Sequence, residues 1–142
     1  MAKPGVVFVC YGNSCRSIMA EALARHYWGD ALRAASVGIV PLGYITAHTL
    51  EVLKEAGIPV EMLYSKGFYE IDVRRYDLIV GLTRGPFEPL IKPGYSGRII
   101  RWHVRDPFGQ GLGAFREARE TIARMVREKL SEWLNFEGNL SL

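Results

Sequence analysis

Cysteine is scarce in this chain, with two residues in 142, and histidine is nearly as scarce, with three. A zinc site needs about four Cys or His ligands at short, recognisable spacing. His26, His48 and His103 are too scattered to supply one, so no metal and no cofactor are expected. Long apolar stretches are missing too. No segment approaches the ~20 residues of a membrane span, and Lys3 and Pro4 precede only a short apolar run that ends at Cys10. A signal peptide and a membrane partner are therefore not expected. The expected compartment is the cytoplasm, where a permanent disulfide is disfavoured.

A basic stripe is also absent. The net charge is +3, but Lys and Arg alternate with acids in stretches such as "FREARETIARMVREKLSEW". That pattern argues against a nucleic-acid partner. No Gly-Lys-Ser/Thr follows a glycine-rich turn, which excludes a nucleotide-triphosphate loop. There is no repeat, linker or low-complexity tract. The chain reads as one domain, 1–142, with 136–142 as a loose tail. At this length a chain buries roughly 68–70% of its unfolded surface, enough for a core without disulfide or metal.

What is present alternates in type. "GVVFVC" (5–10) is a short, continuous, β-branched run, the pattern of a buried strand in a parallel sheet. A helix follows the next polar turn and is closed by Gly29 and Asp30. "LRAASVG" (32–38) predicts a second strand, less apolar and so at an edge. "TAHTLEVLKEAG" (46–57) predicts a helix with Thr46 as N-cap and Gly57 as stop. Residues 58–69 look irregular, and "EIDVRRY" (70–76) predicts one short helix. "YDLIVGL" (76–82) is the third strand, "GPFEPLIK" (85–92) a short proline-broken helix, and "GRIIRWHV" (97–104) the fourth strand. A glycine-rich loop, "RDPFGQGLG" (105–113), leads into a long amphipathic helix over 114–134. Alternation of this kind predicts a three-layer α/β/α fold on a four-stranded parallel sheet. In such sheets ligands bind outside the carboxyl ends of the strands. The loops 10–17 and 105–111 both lie there.

The first of these loops, "CYGNSCRS" (10–17), holds both thiols. Four residues separate them, twice the spacing of a thioredoxin-type pair. A cysteine at the end of a buried strand is often inert core, and Ser17 could be a plain helix cap. Other features point to chemistry. Gly12 and Asn13 readily take positive φ, so the chain can curl and turn successive N–H groups inward as an anion nest. The helix beginning near Ser17 adds its positive end. Arg16 offers a planar fork of donors. Tyr11, Gly12, Asn13, Ser14, Cys15, Arg16 and Ser17 would thus form a cradle for phosphate or a close analogue. A thiol in such a field is drawn toward thiolate. That makes Cys10 a candidate nucleophile, with Ser17 placed to hydrogen-bond its sulfur.

The stretch "VVFVCYGNSCRSIMAEA" resembles the N-terminal signature of low-molecular-weight protein tyrosine phosphatases and their relatives, the arsenate reductases. The similarity continues in order through "SVGI" (36–39), "LKEAGIPV" (53–60), "YDLIV" (76–80) and "RDPFG" (105–109). The resemblance implies Cys10 as nucleophile, Arg16 as oxyanion clamp and Asp106 as general acid, with Pro107 restricting its backbone. It implies a cleft flanked by Tyr11, Tyr44 and Phe108, and hydrolysis of phosphotyrosine or other aryl phosphates through a phosphocysteine. It also implies a redox pair, Cys15 closing a reversible disulfide on an oxidised Cys10. Expected partners are a phosphorylated protein, a small aryl phosphate, or a phosphate or arsenate oxyanion.

This chain departs from the phosphatase pattern in having Ile18 after the loop serine, no histidine near "YSK" (64–66), and Phe108 alone after Asp-Pro. The alternative activity is arsenate reduction. Thioredoxin-coupled reductases of this group relay electrons through two further cysteines after the third strand. Here that segment reads "LTRGPFEPL" (82–90), without a thiol. A reductase of this composition would need an external small thiol.

Overall fold

The computed structural model describes residues 3–141, with side chains as far as 135. Four strands form one sheet in the order β2-β1-β3-β4. They are β1 (Gly5–Cys10), β2 (Arg33–Gly38), β3 (Leu78–Gly81) and β4 (Arg98–Arg101), and every pairing is parallel. All six residues of β1 are buried, because it lies inside the sheet with both faces covered. The expected edge position of the second strand is where β2 lies. The register brings Cys10 opposite Gly38 and Gly81 opposite both Val9 and Arg101. The carboxyl ends of all four strands therefore finish at one rim, and the loops that follow them meet.

Three α-helices are described: α1 (Arg16–Trp28), α2 (Ala47–Glu55) and α3 (Leu112–Ser141). All three contribute to one apolar cluster. It joins Val6 and Phe8 of β1 and Leu78 and Val80 of β3 to Ile18, Leu53, Phe115, Ile122, Val126 and Leu130. Full burial of each such side chain is worth roughly 1.5–3 kcal/mol against exposure. Every residue of α1 from Arg16 to Ala24 is buried, so this helix has no wet face over its first half. Thr46 caps α2 by accepting from Thr49 N at 3.4 Å, and Gly57 ends it at φ 74°.

The opposite face of the sheet carries a smaller cluster, Val7, Val9, Val37 and Ile79 under Phe68, Val73 and Phe87. No α-helix covers it among the described residues. The third layer is instead two 3₁₀ turns, Val73–Arg75 and Glu88–Leu90, together with irregular chain such as that around Phe68. Two expected helices are thus shorter than their sequences suggest. In the second, Pro86 and Pro89 supply no N–H and cannot continue an α-helical ladder. The last helix errs the other way. It starts at Leu112 and runs to Ser141, through residues expected to be a loose tail. "NFEGNLSL" contains no proline, so nothing in it forces the helix to stop; Leu142 lies outside the described residues. No helix among the described residues is long and apolar enough to cross a membrane.

The thin layer rests heavily on Phe87. Its ring is fully buried, stacks on Phe68 at 6.5 Å between centroids and carries the Arg101 guanidinium 4.5 Å from its own centroid. Phe87→Ala is expected to lower unfolding free energy by about 3–5 kcal/mol, measured as the shift in urea midpoint. A loss below about 1 kcal/mol would show that the turns hold this face without it.

Candidate active site

The chain leaves β1 at Cys10 and re-enters helix at Arg16, and the intervening backbone is held from outside through its carbonyls. Cys10 O accepts from Ile39 N at 3.1 Å, Tyr11 O from Val40 N at 2.8 Å and Gly12 O from Leu42 N at 3.0 Å. Ser14 O accepts from Thr46 N at 3.3 Å and from the Thr49 hydroxyl at 3.1 Å. With the carbonyls turned outward, the amides face the other way. None of the N–H groups from Tyr11 to Cys15 has an acceptor among the described residues. The first turn of α1 contains no acidic residue to neutralise its positive end. The curl is made at Asn13, which has φ 48°. Asparagine tolerates this left-handed geometry better than other non-glycine residues.

Asn13 is fully buried and uses its whole side chain. Its Oδ1 accepts from Lys66 N at 2.8 Å, and its Nδ2 donates to Ser17 Oγ at 2.8 Å and Ser36 Oγ at 2.9 Å. Because Ser17 Oγ already accepts from the amide, its own proton is free to donate to Cys10 Sγ, 2.8 Å away. Ser17 therefore sits inside the helix, serving the thiol, and the cap position falls to Cys15, which makes no side-chain cap bond. Ser36 passes the chain on, donating to Glu21 Oε1 at 2.6 Å.

Glu21 is 1% exposed and Lys66 4% exposed, so this is a buried ion pair, Nζ to Oε1 at 3.2 Å. Lys66 Nζ also donates to Tyr64 O at 3.2 Å and lies 4.4 Å from the Tyr64 ring centroid. Arg25 Nη2 approaches Glu21 Oε2 at 3.0 Å, an ion pair without hydrogen-bond alignment. In the 64–66 segment, which has no histidine, the Lys66 N–H is the group that meets the loop asparagine.

Arg16 is held by the sheet rim. Its Nη1 donates to Leu82 O, just past β3, and to Val104 O at 3.3 Å, past β4. Its Nη2 lies 3.4 Å from Asp106 Oδ2. The Asp106 carboxylate is about half exposed, and its Oδ1 accepts from Phe108 N at 3.0 Å, which folds the Asp-Pro-Phe turn.

These parts converge on a cavity of about 290 Å³ lined by Cys10, Tyr11, Gly12, Ser14, Cys15, Arg16, Leu42, Asp106 and Phe108. Tyr11 and Phe108 are half exposed at its mouth. Tyr44 is not in the lining; its carbonyl accepts from the Ser14 hydroxyl at 2.8 Å, and Leu42 stands at the wall instead. Asn13 and Ser17 lie beneath the loop, outside the lining. Burial pushes the Cys15 thiol up from its ordinary value of 9.0, with Thr46 and Thr49 hydrogen bonds partly opposing and the Cys10 and Asp106 charges adding to the rise.

Leu42, Lys66 and Gly38 carried no sequence signal as site residues. Gly38 matters sterically: a Cβ there would lie 2.8 Å from Asn13 N and 2.9 Å from Gly12 C, inside the loop's backbone. Only a glycine at the end of β2 lets the loop lie this close. Among the described residues no group of side chains has the makeup of a metal site.

The strand-loop-helix unit thus sets a thiol, an arginine and a facing Asp-Pro turn around one cavity. The family model for low molecular weight phosphotyrosine protein phosphatase matches residues 5–138, and the chain belongs to that enzymatic family. Among its relatives is arsenate reductase 2 of Staphylococcus saprophyticus, 31% identical over 130 residues, covering 90% of this chain and 97% of that protein. A solved structure of an arsenate reductase in the phosphate binding state superposes with a TM-score of 0.80 at 26% identity, covering 91% of this chain and 98% of the other. Vibrio vulnificus Wzb in complex with benzylphosphonate gives 0.77 at 25%, covering 94% and 99%.

Removing one partner of a buried ion pair strands the other charge. Lys66→Met is expected to destabilise the protein by about 3 kcal/mol, Arg25 keeping the loss at the low end of that range. The double variant Glu21→Gln/Lys66→Met should recover part of it. Urea denaturation of the full double-mutant cycle measures this, and additive losses would show that the two side chains are not coupled.

Proposed function

We propose that Cys10 attacks a tetrahedral oxyanion held by the 10–17 loop, and that the chain hydrolyses phosphate monoesters, aryl esters above all, through a phosphocysteine. The observation that carries this reading is that a thiol, a guanidinium and a carboxyl group line one cavity, with a serine hydroxyl aimed at the sulfur. In the first step Cys10 Sγ bonds to phosphorus as the P–O bond to the leaving group breaks. Asp106 gives its proton to the departing oxygen. Arg16 and the loop amides hold the three equatorial oxygens, where charge gathers in the transition state. In the second step Asp106 takes a proton from water, the water oxygen bonds to phosphorus, and the P–S bond breaks to return the thiolate. The half-exposed rings of Tyr11 and Phe108 suit an aryl leaving group. The structural relative that binds benzylphosphonate supports the same substrate shape.

A second reading, arsenate reduction by an external thiol, is the one the named relatives favour. Cys10 would displace water from arsenate to form an S–As(V) adduct. An external thiolate would then attack Sγ, and the S–As electron pair would leave with arsenic as arsenite. The resulting mixed disulfide would be cleared by a second thiol. The donor comes from outside in this reading, since the segment after β3 (82–90) carries no thiol to relay the electrons.

One paired assay separates the readings: hydrolysis of p-nitrophenyl phosphate, and arsenate-dependent oxidation of a glutathione-type thiol. Hydrolysis that vanishes in Cys10→Ser is the expected result. Asp106→Ala should slow esters of poor leaving groups by about 10²–10³-fold and good ones much less. Thiol oxidation without hydrolysis would transfer the assignment to the second reading.

We further propose Cys15 as the resolving thiol. Peroxide would convert Cys10 to a sulfenic acid, and Cys15 would displace water from it to close a disulfide. Because the Cys15 pKa is raised above 9.0, its thiolate and this protection should grow as pH climbs toward and past that value. Recovery of peroxide-treated enzyme by added thiol should be complete in the wild type and partial in Cys15→Ser. Equal recovery would reject the role.

A further inference from the structure

From the last residue of β4 onward the exposure of the chain alternates. Arg101, His103 and Arg105 face solvent, while Trp102 and Val104 are buried at 5% and 8%. Three basic side chains therefore leave on one side of a single segment. A fourth joins from the loop after β3, where Arg84 Nη2 lies 2.9 Å from His103 Nε2. Together these four line a cavity of about 600 Å³, adjoining the one that holds Cys10; Arg16 and Asp106 line both. The size lies within the range of a ligand-binding cleft.

The charges there are unevenly answered. Arg101 is neutralised by Glu88 at 2.8 and 2.9 Å. Arg84 and Arg105 form no salt bridge among the described residues, and Asp106, already facing Arg16, is the only carboxylate in the lining. The mechanism above uses none of the four. Like charges gathered beside a catalytic cavity repel one another and focus a positive potential toward it. Arginine's fork matches a carboxylate or phosphate in two-point contact.

We propose that this cavity is a subsite for a second anionic group on the molecule whose phosphoryl group docks at Cys10, namely an acidic side chain flanking the phosphorylated residue of a peptide. The inference rests on the reading of the 10–17 loop as the oxyanion site and deepens it by naming the substrate's flank. Arg84 and Arg105 are its specificity-determining residues, acting on binding and not on the reacting atoms.

The test is binding of non-hydrolysable phosphonomethyl-phenylalanine peptides, one flanked by Glu and one by Gln, measured by calorimetry on the full chain. The wild type should bind the Glu peptide about 5- to 10-fold more tightly. That ratio should collapse toward about 1 in Arg84→Gln/Arg105→Gln, and in the wild type as salt rises toward about 0.5 M. A wild-type ratio of 1, the same ratio in the variant, or no binding of either peptide would overturn the proposal. If the double variant fails to fold, the single Arg84→Gln and the salt series decide, and a preference indifferent to both would also overturn it. Hydrolysis of p-nitrophenyl phosphate is followed in parallel. Its absence alongside a preserved binding ratio would remove the phosphatase reading and leave the subsite standing.

Discussion

The site depends on one side chain held in an uncommon conformation. Asn13 takes φ 48°, and its side-chain polar atoms are all bound: to Lys66 N, to Ser17 and to Ser36. A residue in the left-handed region is retained only where its surroundings over-determine it. Here they do, and the same bonds that hold the curl orient the Ser17 hydroxyl onto the Cys10 sulfur. The loop's inward amides, the thiol's hydrogen bond and the tie to the β2 end through Ser36 and Gly38 follow from this one contact set.

Behind Asn13 the support becomes ionic. Ser36 donates to Glu21, and Glu21 is paired with Lys66, both side chains almost wholly removed from water. A buried pair adds little net stability over an apolar alternative, because desolvation offsets most of the attraction. Its contribution here is geometric. Lys66 meets the loop by its backbone at Asn13 and α1 by its ammonium at Glu21, so the 64–67 segment and α1 are locked to one register around the loop.

The sheet supplies the rest of the placement. β3 ends beside β1 and β4 beside β3, and carbonyls past their ends take the Arg16 guanidinium at Leu82 and Val104. A cation fixed in this way does not have to be ordered at the moment a ligand arrives, which lowers the cost of binding. The same strand ends set Asp106 across from Arg16 and carry the basic row beyond it. Cys10, Arg16, Asp106 and the basic row thus share one rim.

Much of this was legible in the residues. The unbroken apolar run before Cys10, the alternation of elements and the Gly-Asn turn determined the four parallel strands, the edge position of β2 and the curl of the 10–17 loop, because periodicity and turn chemistry are local. Cys10, Arg16 and Asp106 were named by the resemblance together with that local logic, and the structure brings the three around one cavity. Other features were not legible. Lys66 reads as an ordinary surface lysine until the fold buries it against Glu21, and Gly38 reads as a strand end until the loop lies on it. The short third layer, Leu42 in place of Tyr44 at the wall, and the helical course of 136–141 were likewise outside local reasoning. The arginines looked scattered because Arg84 and Arg105 are far apart in the chain. Only parallel pairing of β3 with β4 puts their loops side by side. Local sequence determined which groups this protein carries and how each segment bends; the tertiary structure decided which of them meet, because contact across a sheet depends on strand order and register that no single segment encodes.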